Sequence, residues 1–407
     1  MGAEELDPQV VALLERFARA GVRPVSEQTP AAARRAGLAL ADALDQEAGS
    51  TAIIRHLNRV GQDGPAGIAA AVGLPDHAVA ARLESLHAAG VVLRRPDGAG
   101  GERWSVRIGG RRRARSAGGV LDRLDDAFAD DAPTATSDEP DGVALPGGVR
   151  DIVLAPDVEM RVYRPDAPAG TRLPAVVFIH GGGWVIGSIA TYDPVCRRVM
   201  DGTGAIVISL GYRLAPEHPY PAAIDDVERL WREVLARADR LGIDTDRIAV
   251  MGDSVGGGLA TVLALRARDV GWGSVAAQVL AYPVTDATRA LPSYARHADA
   301  PLLSRADMEW FYGHYAPPPG DWRASPLHAP DLAGLPPALV VLAPIDPVRD
   351  DGAGYAERLA AAGVPVTVDE QPGMIHGFLQ LAPALDGATA AHARIAAWLR
   401  AQLGIDR

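Results

Sequence analysis

One serine stands in a sequence pattern that is typical of an enzymatic nucleophile. The pattern is a G-x-S-x-G, Gly252-Asp253-Ser254-Val255-Gly256, which follows the apolar run RIAV and precedes the small-residue segment GGLATVLAL. A strand, a tight turn and a helix in this order project a serine hydroxyl above a sheet. They also place it at the amino end of the helix, where backbone N–H groups favour a developing anion. The sequence therefore predicts that Ser254 is a nucleophile.

A glycine-rich segment upstream of this serine supplies a second chemical element. His180-Gly181-Gly182-Gly183-Trp184 follows the apolar run AVVFI. Consecutive glycines at the carboxyl end of a strand leave backbone N–H groups free to point at an oxyanion. A Walker-type phosphate loop would need a Lys and a Ser or Thr to follow, and no such pair follows here. We therefore predict that these glycines contribute to an oxyanion hole.

A serine is a weak nucleophile unless a base and an orienting acid activate it, and in this arrangement both follow the serine in the chain. His376 lies in the glycine-flanked stretch GMIHGF, after the last strand candidate, whereas the other histidines downstream of Ser254 lie in helical or Pro-rich segments. Asp346 ends the strand candidate PALVVLAPI, and Asp350 lies close enough to be the alternative acid. The predicted catalytic triad is Ser254, Asp346 and His376, with no metal and no organic cofactor.

The elements that must position these residues begin near residue 150. The segment VRDIVLAPDVEMRVYRP alternates as paired strands, and helical stretches at 222–241 and 256–269 lie between buried-strand candidates. Strands that alternate with helices predict a mostly parallel sheet covered by helices on both faces. The further strand candidates are PAVVFIH, AIVISL, RIAVMG, AAQVLAY, PALVVLA and VPVTVDE.

Residues 150–407 resemble the hormone-sensitive-lipase-like family of bacterial esterases. The resemblance implies the α/β-hydrolase fold and hydrolysis of a small-molecule ester with a short to medium acyl chain. It also implies an oxyanion hole from the backbone amides of Gly182, Gly183 and Val255, and we include Gly181, the first glycine of the run, in the predicted set. Six ordered motifs carry the resemblance: HGGGW (180–184), GYRLAPEHPYPAAIDD (211–226), GDSVGGGLA (252–260), SPLHAPDLAGLPPALVV (325–341), DPVRDDG (346–352) and GMIHGF (373–378).

The same resemblance extends to a helical cap over the acyl pocket. Residues 6–36 are similar to the family's N-terminal cap helices, so residues 1–47 are expected to form this part of the cap. Residues 285–322 would complete it. The predicted catalytic domain is then 150–407, and residues 118–149 are predicted to form a helix and an acidic linker.

Composition and charge restrict the remaining interpretations. Cys196 is the only cysteine, which fits a reducing cytoplasm. The sequence shows no signal peptide and no apolar segment long enough to span a membrane, so no membrane partner is expected. The net charge of −11 hides a basic segment, residues 82–115, in which nine arginines stand against three acids. The acidic stretch 116–149 follows it, with eight acids and one arginine.

The basic segment belongs to a predicted insert, residues 48–117, that differs from its surroundings. Three short helices and two strands are similar to a winged-helix-like module of the MarR or ArsR type. Two interpretations stay open: DNA binding, and interaction through homodimerisation. The first makes the chain a DNA-binding regulator that responds to an ester ligand, as an alternative to an esterase. The candidate DNA or partner contacts are Arg94, Arg95, Arg103, Arg111, Arg112 and Arg113.

Overall fold

The computed structural model describes residues 5–19, 22–37, 57, 63–72, 76–88, 92–96, 102–106, 148–155, 158–168, 170–382 and 384–406. The chain divides into two compact units. The large unit comprises Met1–Leu14, Arg23–Leu38 and Asp131–Arg407, and the small unit comprises Glu15–Val22 and Ala39–Asp130. None of the helices in the described ranges is long and apolar enough to cross a membrane.

Strands and helices alternate along most of the large unit, and the elements of both units are numbered together in chain order, with β1, β2, α3 and α4 in the small unit. The strands are β1 (Val92–Pro96), β2 (Glu102–Val106), β3 (Gly148–Ala155), β4 (Val158–Arg164), β5 (Leu173–Ile179), β6 (Ile206–Gly211), β7 (Ile243–Asp253), β8 (Ala277–Ala281), β9 (Ala338–Leu342) and β10 (Val366–Glu370). The helices are α1 (Pro8–Arg19), α2 (30–37), α3 (Pro65–Val72), α4 (Asp76–Ala88), α5 (Asp193–Thr203), α6 (Ala222–Ala236), α7 (Ala238–Leu241), α8 (Val255–Val270), α9 (Pro292–Arg296), α10 (Arg305–Tyr315), α11 (Arg349–Ala361) and α12 (Asp386–Gln402).

An eight-stranded sheet forms the centre of the large unit, in the order β10-β9-β8-β7-β5-β6-β4-β3. The pairs from β10 through to β6 are parallel, whereas β4 pairs antiparallel with both β6 and β3. The inner strands read as continuous apolar runs because helices cover both faces and leave almost no side chain of β7, β8 or β9 near solvent beyond the amino end of β7. The predicted mostly parallel sheet and its strand candidates are confirmed.

The helices and cap segments of the large unit also follow the sequence patterns, with one difference. The predicted helix at 222–241 is interrupted at Arg237, so it forms α6 and the short α7. Helix α2 begins after Thr29, whose hydroxyl accepts a hydrogen bond from the N–H of Ala32 (3.3 Å), as an N-cap residue does. In the predicted cap segment 285–322, α10 begins with a capping box formed by Ser304 and Asp307.

The described residues 63–106 of the small unit form two helices and a hairpin, and the end of α1 also belongs to this unit. Helices α3 and α4 precede β1 and β2, which pair antiparallel, and Asp63 forms a bridge to Trp104 on β2. Their apolar side chains form one buried cluster, which consists of Leu57, Ile68, Ala69, Val79, Leu83, Val92 and Trp104. The two predicted strands of the insert are confirmed. Most of its first predicted helix, the arginine run 111–113 and residues 118–147 lie outside the described residues.

Candidate active site

Ser254 lies at a sharp turn between β7 and α8. Its backbone angles, φ 55° and ψ −127°, belong to a strained region that a residue other than glycine adopts only where the surrounding structure enforces it. Glycines on both sides permit the turn: a Cβ at Gly252 would collide with the backbone of Gly256, and a Cβ at Gly256 would collide with the carbonyl of Ile179. The predicted strand–turn–helix around this serine is confirmed.

Two hydrogen bonds connect the three predicted triad residues. The Ser254 hydroxyl lies 2.8 Å from Nε2 of His376, and Nδ1 of His376 lies 2.7 Å from Oδ2 of Asp346. Asp346 has no solvent-exposed surface, and both other side chains are buried. Its second oxygen, Oδ1, accepts the N–H of Val348 at 2.9 Å, which fixes the carboxylate. The arrangement can pass a proton from the serine to a histidine whose orientation a buried acid holds.

The alternative acid, Asp350, is occupied elsewhere. Its Oδ2 accepts the N–H of Ser293 at 3.0 Å, and its Oδ1 pairs with Arg349 at 3.1 Å. The structure therefore joins Asp346, and not Asp350, to His376. The two carboxyl groups are only four residues apart in the sequence, so the pattern alone left the choice open.

The glycine loop, residues 180–187, follows β5 and passes close to the serine turn. Gly182 (φ 102°) and Gly183 (φ 60°) both have the positive φ that favours glycine. Among residues 170–382, no turn or loop hydrogen bond uses the N–H of Gly182, Gly183 or Val255, so these three amides are available to a ligand. Gly181 is a correction to the predicted set, because its N–H is already donated to Oδ1 of Asp253 at 2.9 Å.

Asp253 is a residue of the site that the sequence reasoning missed, since it occupies a variable position of the G-x-S-x-G. Besides the N–H of Gly181, its carboxylate accepts the hydroxyls of Tyr192 (3.1 Å) and Tyr282 (3.4 Å). Burial raises the pKa of Asp253 to about 6, and the charge of His376 and these hydrogen bonds oppose the rise. A buried acid beside the predicted nucleophile thus anchors the first glycine of the loop to the serine turn.

His180 is a second positioning group. Burial lowers its pKa to about 4, so its ring is neutral at physiological pH. Its Nδ1–H donates to the carbonyl of Gly181 at 2.8 Å, and its ring stacks on Tyr212 with 4.2 Å between the centroids. In a trans peptide the carbonyl and the following N–H point in opposite directions. The N–H of Gly182 therefore points away from His180.

Helix α10 covers the glycine loop. A Cβ at Gly183 would collide with the ring of Phe311, so this ring lies directly against the loop backbone. The ring of Trp184 stacks on Tyr315, with 4.2 Å between centroids and 2° between planes. The predicted cap segment 285–322 thus supplies an aromatic cover beside the predicted oxyanion hole. Within the described ranges, no group of three or more His, Cys, Asp or Glu side chains is arranged to hold a metal ion.

The described basic contacts, Arg94, Arg95 and Arg103, belong to the small unit, whereas the predicted triad belongs to the large unit. Arg94, on β1, pairs with Glu84 at 2.9 Å and with Glu102, which neutralises much of its charge. Arg103 lies exposed on β2, and Arg95 lies on β1. Arg111, Arg112 and Arg113 lie outside the described residues.

The chain is similar in sequence to a known protein family and to known esterases. The α/β-hydrolase-fold family Abhydrolase_3 matches residues 176–380. The chain is 47% identical over 253 residues to carboxylesterase NlhH of Mycobacterium tuberculosis, across 61% of this chain and 79% of that protein. It is 40% identical over 259 residues to ethyl acetate hydrolase of Pseudomonas putida, across 62% of this chain and 80% of the relative.

The structure also superposes on solved structures of esterases. An esterase of Pyrobaculum calidifontis superposes with a TM-score of 0.59 and 42% identity, over 63% of this chain and 87% of that chain. A thermostable esterase of Pseudomonas putida ECU1011 superposes with a TM-score of 0.66 and 26% identity, over 100% of both chains.

Proposed function

This chain belongs to the Abhydrolase_3 family of α/β-hydrolase-fold proteins and is a carboxylic-ester hydrolase, and we propose that it cleaves short to medium acyl esters through a covalent acyl-enzyme on Ser254. The observation that carries the proposal is the pair of hydrogen bonds, 2.8 and 2.7 Å long, that joins Ser254, His376 and Asp346. The proposed short to medium length of the acyl chain is supported by the relatives, one of which is an ethyl acetate hydrolase.

The first half of the reaction forms the acyl-enzyme. Nε2 of His376 takes the Ser254 proton as the hydroxyl oxygen bonds to the ester carbonyl carbon. Asp346 holds Nδ1–H and stabilises the positive charge of the imidazolium. The tetrahedral intermediate then collapses, its bond to the alkoxy oxygen breaks, and the alcohol leaves with the proton from Nε2.

The second half reverses the roles. Water donates a proton to Nε2 of His376 while its oxygen attacks the acyl carbon, and the carboxylic acid leaves as Ser254 regains its proton. In both halves the oxyanion is met by the amides of Gly182, Gly183 and Val255. Each such donor contributes roughly 10²- to 10³-fold in kcat in serine hydrolases where it has been removed.

Trapping the acyl group on the protein tests this mechanism. Wild type is mixed with p-nitrophenyl esters from acetate to decanoate, quenched in acid within one turnover and digested for mass spectrometry. We expect the mass of the acyl group to be added to the peptide that contains Ser254. We also expect the esters with the shorter acyl chains to be turned over fastest. No adduct with any ester, despite release of p-nitrophenol, would contradict the covalent route.

The small unit has a separate, structural proposal. We propose that it is a winged-helix-like module, supported by the order of α3, α4 and the β1–β2 hairpin and by the bridge from Asp63 to Trp104. DNA regulation is not retained as a second function, because the described contacts of Arg94 satisfy that arginine within the unit. Pairing of two modules in a homodimer is retained, with sedimentation as its test.

The single buried cysteine supports a cytoplasmic location.

A further inference from the structure

The glycine loop is held by its backbone carbonyls. Four of the five carbonyls of residues 181–185 accept a hydrogen bond, whereas the N–H groups of Gly182 and Gly183 donate to no described group. The donors are His180 Nδ1 to Gly181 (2.8 Å), the N–H groups of Val185 and Ile186 to Gly182 (3.1 and 2.9 Å), the N–H of Ala215 to Trp184 (2.9 Å) and Arg34 Nε to Val185 (2.7 Å). One of these donors comes from the N-terminal segment.

Arg34 on α2 makes four hydrogen bonds at this place. Its Nε donates to the carbonyl of Val185 and its Nη2 to the carbonyl of Ala215, both at 2.7 Å. The same guanidinium binds both carboxylate oxygens of Glu217, at 3.1 and 2.7 Å. The Ala215 N–H in turn donates to the carbonyl of Trp184. Arg34 therefore fixes both residues that follow Gly183, one directly and one through Ala215.

The surroundings make these bonds difficult to replace. Val185 is fully buried and Ala215 is 1% exposed, whereas the Arg34 side chain keeps 27% of its surface in contact with solvent. A buried carbonyl that loses its donor has no water molecule to take the donor's place. The loop would therefore shift until the carbonyl finds another partner. Only a planar fork with several donors can serve two carbonyls and a carboxylate together, and lysine has a single ammonium group.

We propose that Arg34 is a positioning residue of the catalytic site, and that the N-terminal helix α2 thereby completes the oxyanion hole. The inference rests on the proposed esterase function. Arg34 does not touch the substrate; it acts on the direction of the Gly183 amide through the carbonyls of Trp184 and Val185. Loss of the hydrogen bonds from Arg34 to the carbonyls of Val185 and Ala215 lowers transition-state binding more than ground-state binding, because the oxyanion forms only in the transition state.

The adjacent residue on the same helix offers a matched control. Arg35 is exposed and no hydrogen bond or ion pair of its side chain is described, so Arg35→Met removes the same charge and leaves the loop intact. The test variants are Arg34→Met, Arg34→Lys and Arg34→Ala. For each protein, functional sites are counted by the burst of p-nitrophenol from paraoxon, and kcat and KM for p-nitrophenyl butyrate are expressed per counted site.

We expect kcat per site to fall about 10- to 100-fold in the Arg34 variants, with KM changed by less than about threefold. Affinity for butylboronic acid, whose tetrahedral adduct on Ser254 places an oxygen in the oxyanion hole, should fall by the same factor as kcat. Guanidinium chloride at low millimolar concentration should restore part of the activity of Arg34→Ala, and sodium chloride should not. Arg35→Met should stay within about twofold of wild type.

Three results would overturn the inference: an unchanged kcat per site in Arg34→Met, a loss confined to KM, or an equal loss in Arg35→Met. A purely structural role of Arg34 would lower the melting temperature and the number of counted sites while kcat per site and boronate affinity stay at wild-type values. Failure of the proposed function looks different, since wild type itself would then show neither a burst nor turnover.

Discussion

Replacement of Asp253 by asparagine should change how the stability of the protein depends on pH. Asp253 is buried beside Ser254, and burial raises its pKa from 3.8 to about 6. In the folded state it therefore binds a proton more tightly than in the unfolded chain. Its contribution to stability is complete below about pH 4 and is lost as the pH rises through about 6. Above that range the folded protein carries a desolvated carboxylate that the unfolded chain exposes to water.

The size of the effect follows from the two pKa values. The rise from 3.8 to about 6, at about 1.36 kcal/mol for each pH unit, corresponds to about 3 kcal/mol. Asparagine keeps an oxygen that can accept the N–H of Gly181, and its amide can donate to the Tyr192 oxygen. The substitution therefore removes the charge while it keeps a hydrogen-bonded network. The free energy of unfolding of Asp253→Asn minus that of wild type should increase by about 2.4 kcal/mol between pH 4 and pH 7.5, because part of the full effect already appears below pH 4.

Urea unfolding followed by tryptophan fluorescence at a series of pH values measures this difference. Six of the seven tryptophans belong to the large unit, so the signal reports mainly on the unit that contains Asp253. Asp351 is also buried, with a pKa well above its usual range, but it is present in both proteins and cancels in the difference. Unfolding free energies of the two proteins that run parallel across the pH range would show that the pKa of Asp253 is not raised in the folded state.

Three further perturbations test separate parts of the site. Asp346→Asn should lower kcat by about 10³- to 10⁴-fold with folding retained, because the amide favours the wrong tautomer of the base; steady-state kinetics and circular dichroism check this, and unchanged kcat would remove Asp346 from the triad. Gly183→Ala should lose at least about 10²-fold in kcat because its Cβ collides with Phe311, whereas Gly204→Ala, with a similar positive φ but open space, should cost only about 1 kcal/mol in an unfolding titration; equal activities would contradict the collision. Cys196 is buried and burial raises its pKa to about 12, so Ellman's reagent should titrate one thiol only after denaturation; rapid reaction in the native protein would contradict its burial.

The sheet and the hydrogen-bonded arrangement of Ser254, His376 and Asp346 could be predicted because their sequence signals are local. Apolar runs bounded by turn residues specify buried parallel strands, and the serine turn requires glycines at fixed positions. The histidine and the acid could be selected because each follows a strand candidate, and carboxyl ends of parallel strands meet at one edge of the sheet. Asp346 and Asp350 could not be separated with certainty, because both come after the same strand and only their tertiary partners differ.

The contacts that hold the glycine loop could not be predicted from the sequence. The donation of the Gly181 N–H to Asp253 joins residues that are 72 positions apart, and the hydrogen bond from Arg34 to Val185 joins residues 151 positions apart. Nothing in a run of three glycines distinguishes the amide that is consumed by the protein from those that stay free. The acidic residue before the serine was the available signal, since a buried carboxylate requires hydrogen-bond donors nearby.

Turnover of p-nitrophenyl butyrate by matched serine variants decides whether Ser254 is the nucleophile of an ester hydrolase. Wild type, Ser254→Ala and Ser274→Ala, which alters an exposed serine, are compared at equal folded concentration. We predict that Ser254→Ala lowers kcat by at least about 10⁴-fold while Ser274→Ala leaves it unchanged. Turnover by Ser254→Ala near the wild-type rate would show that Ser254 is not the nucleophile.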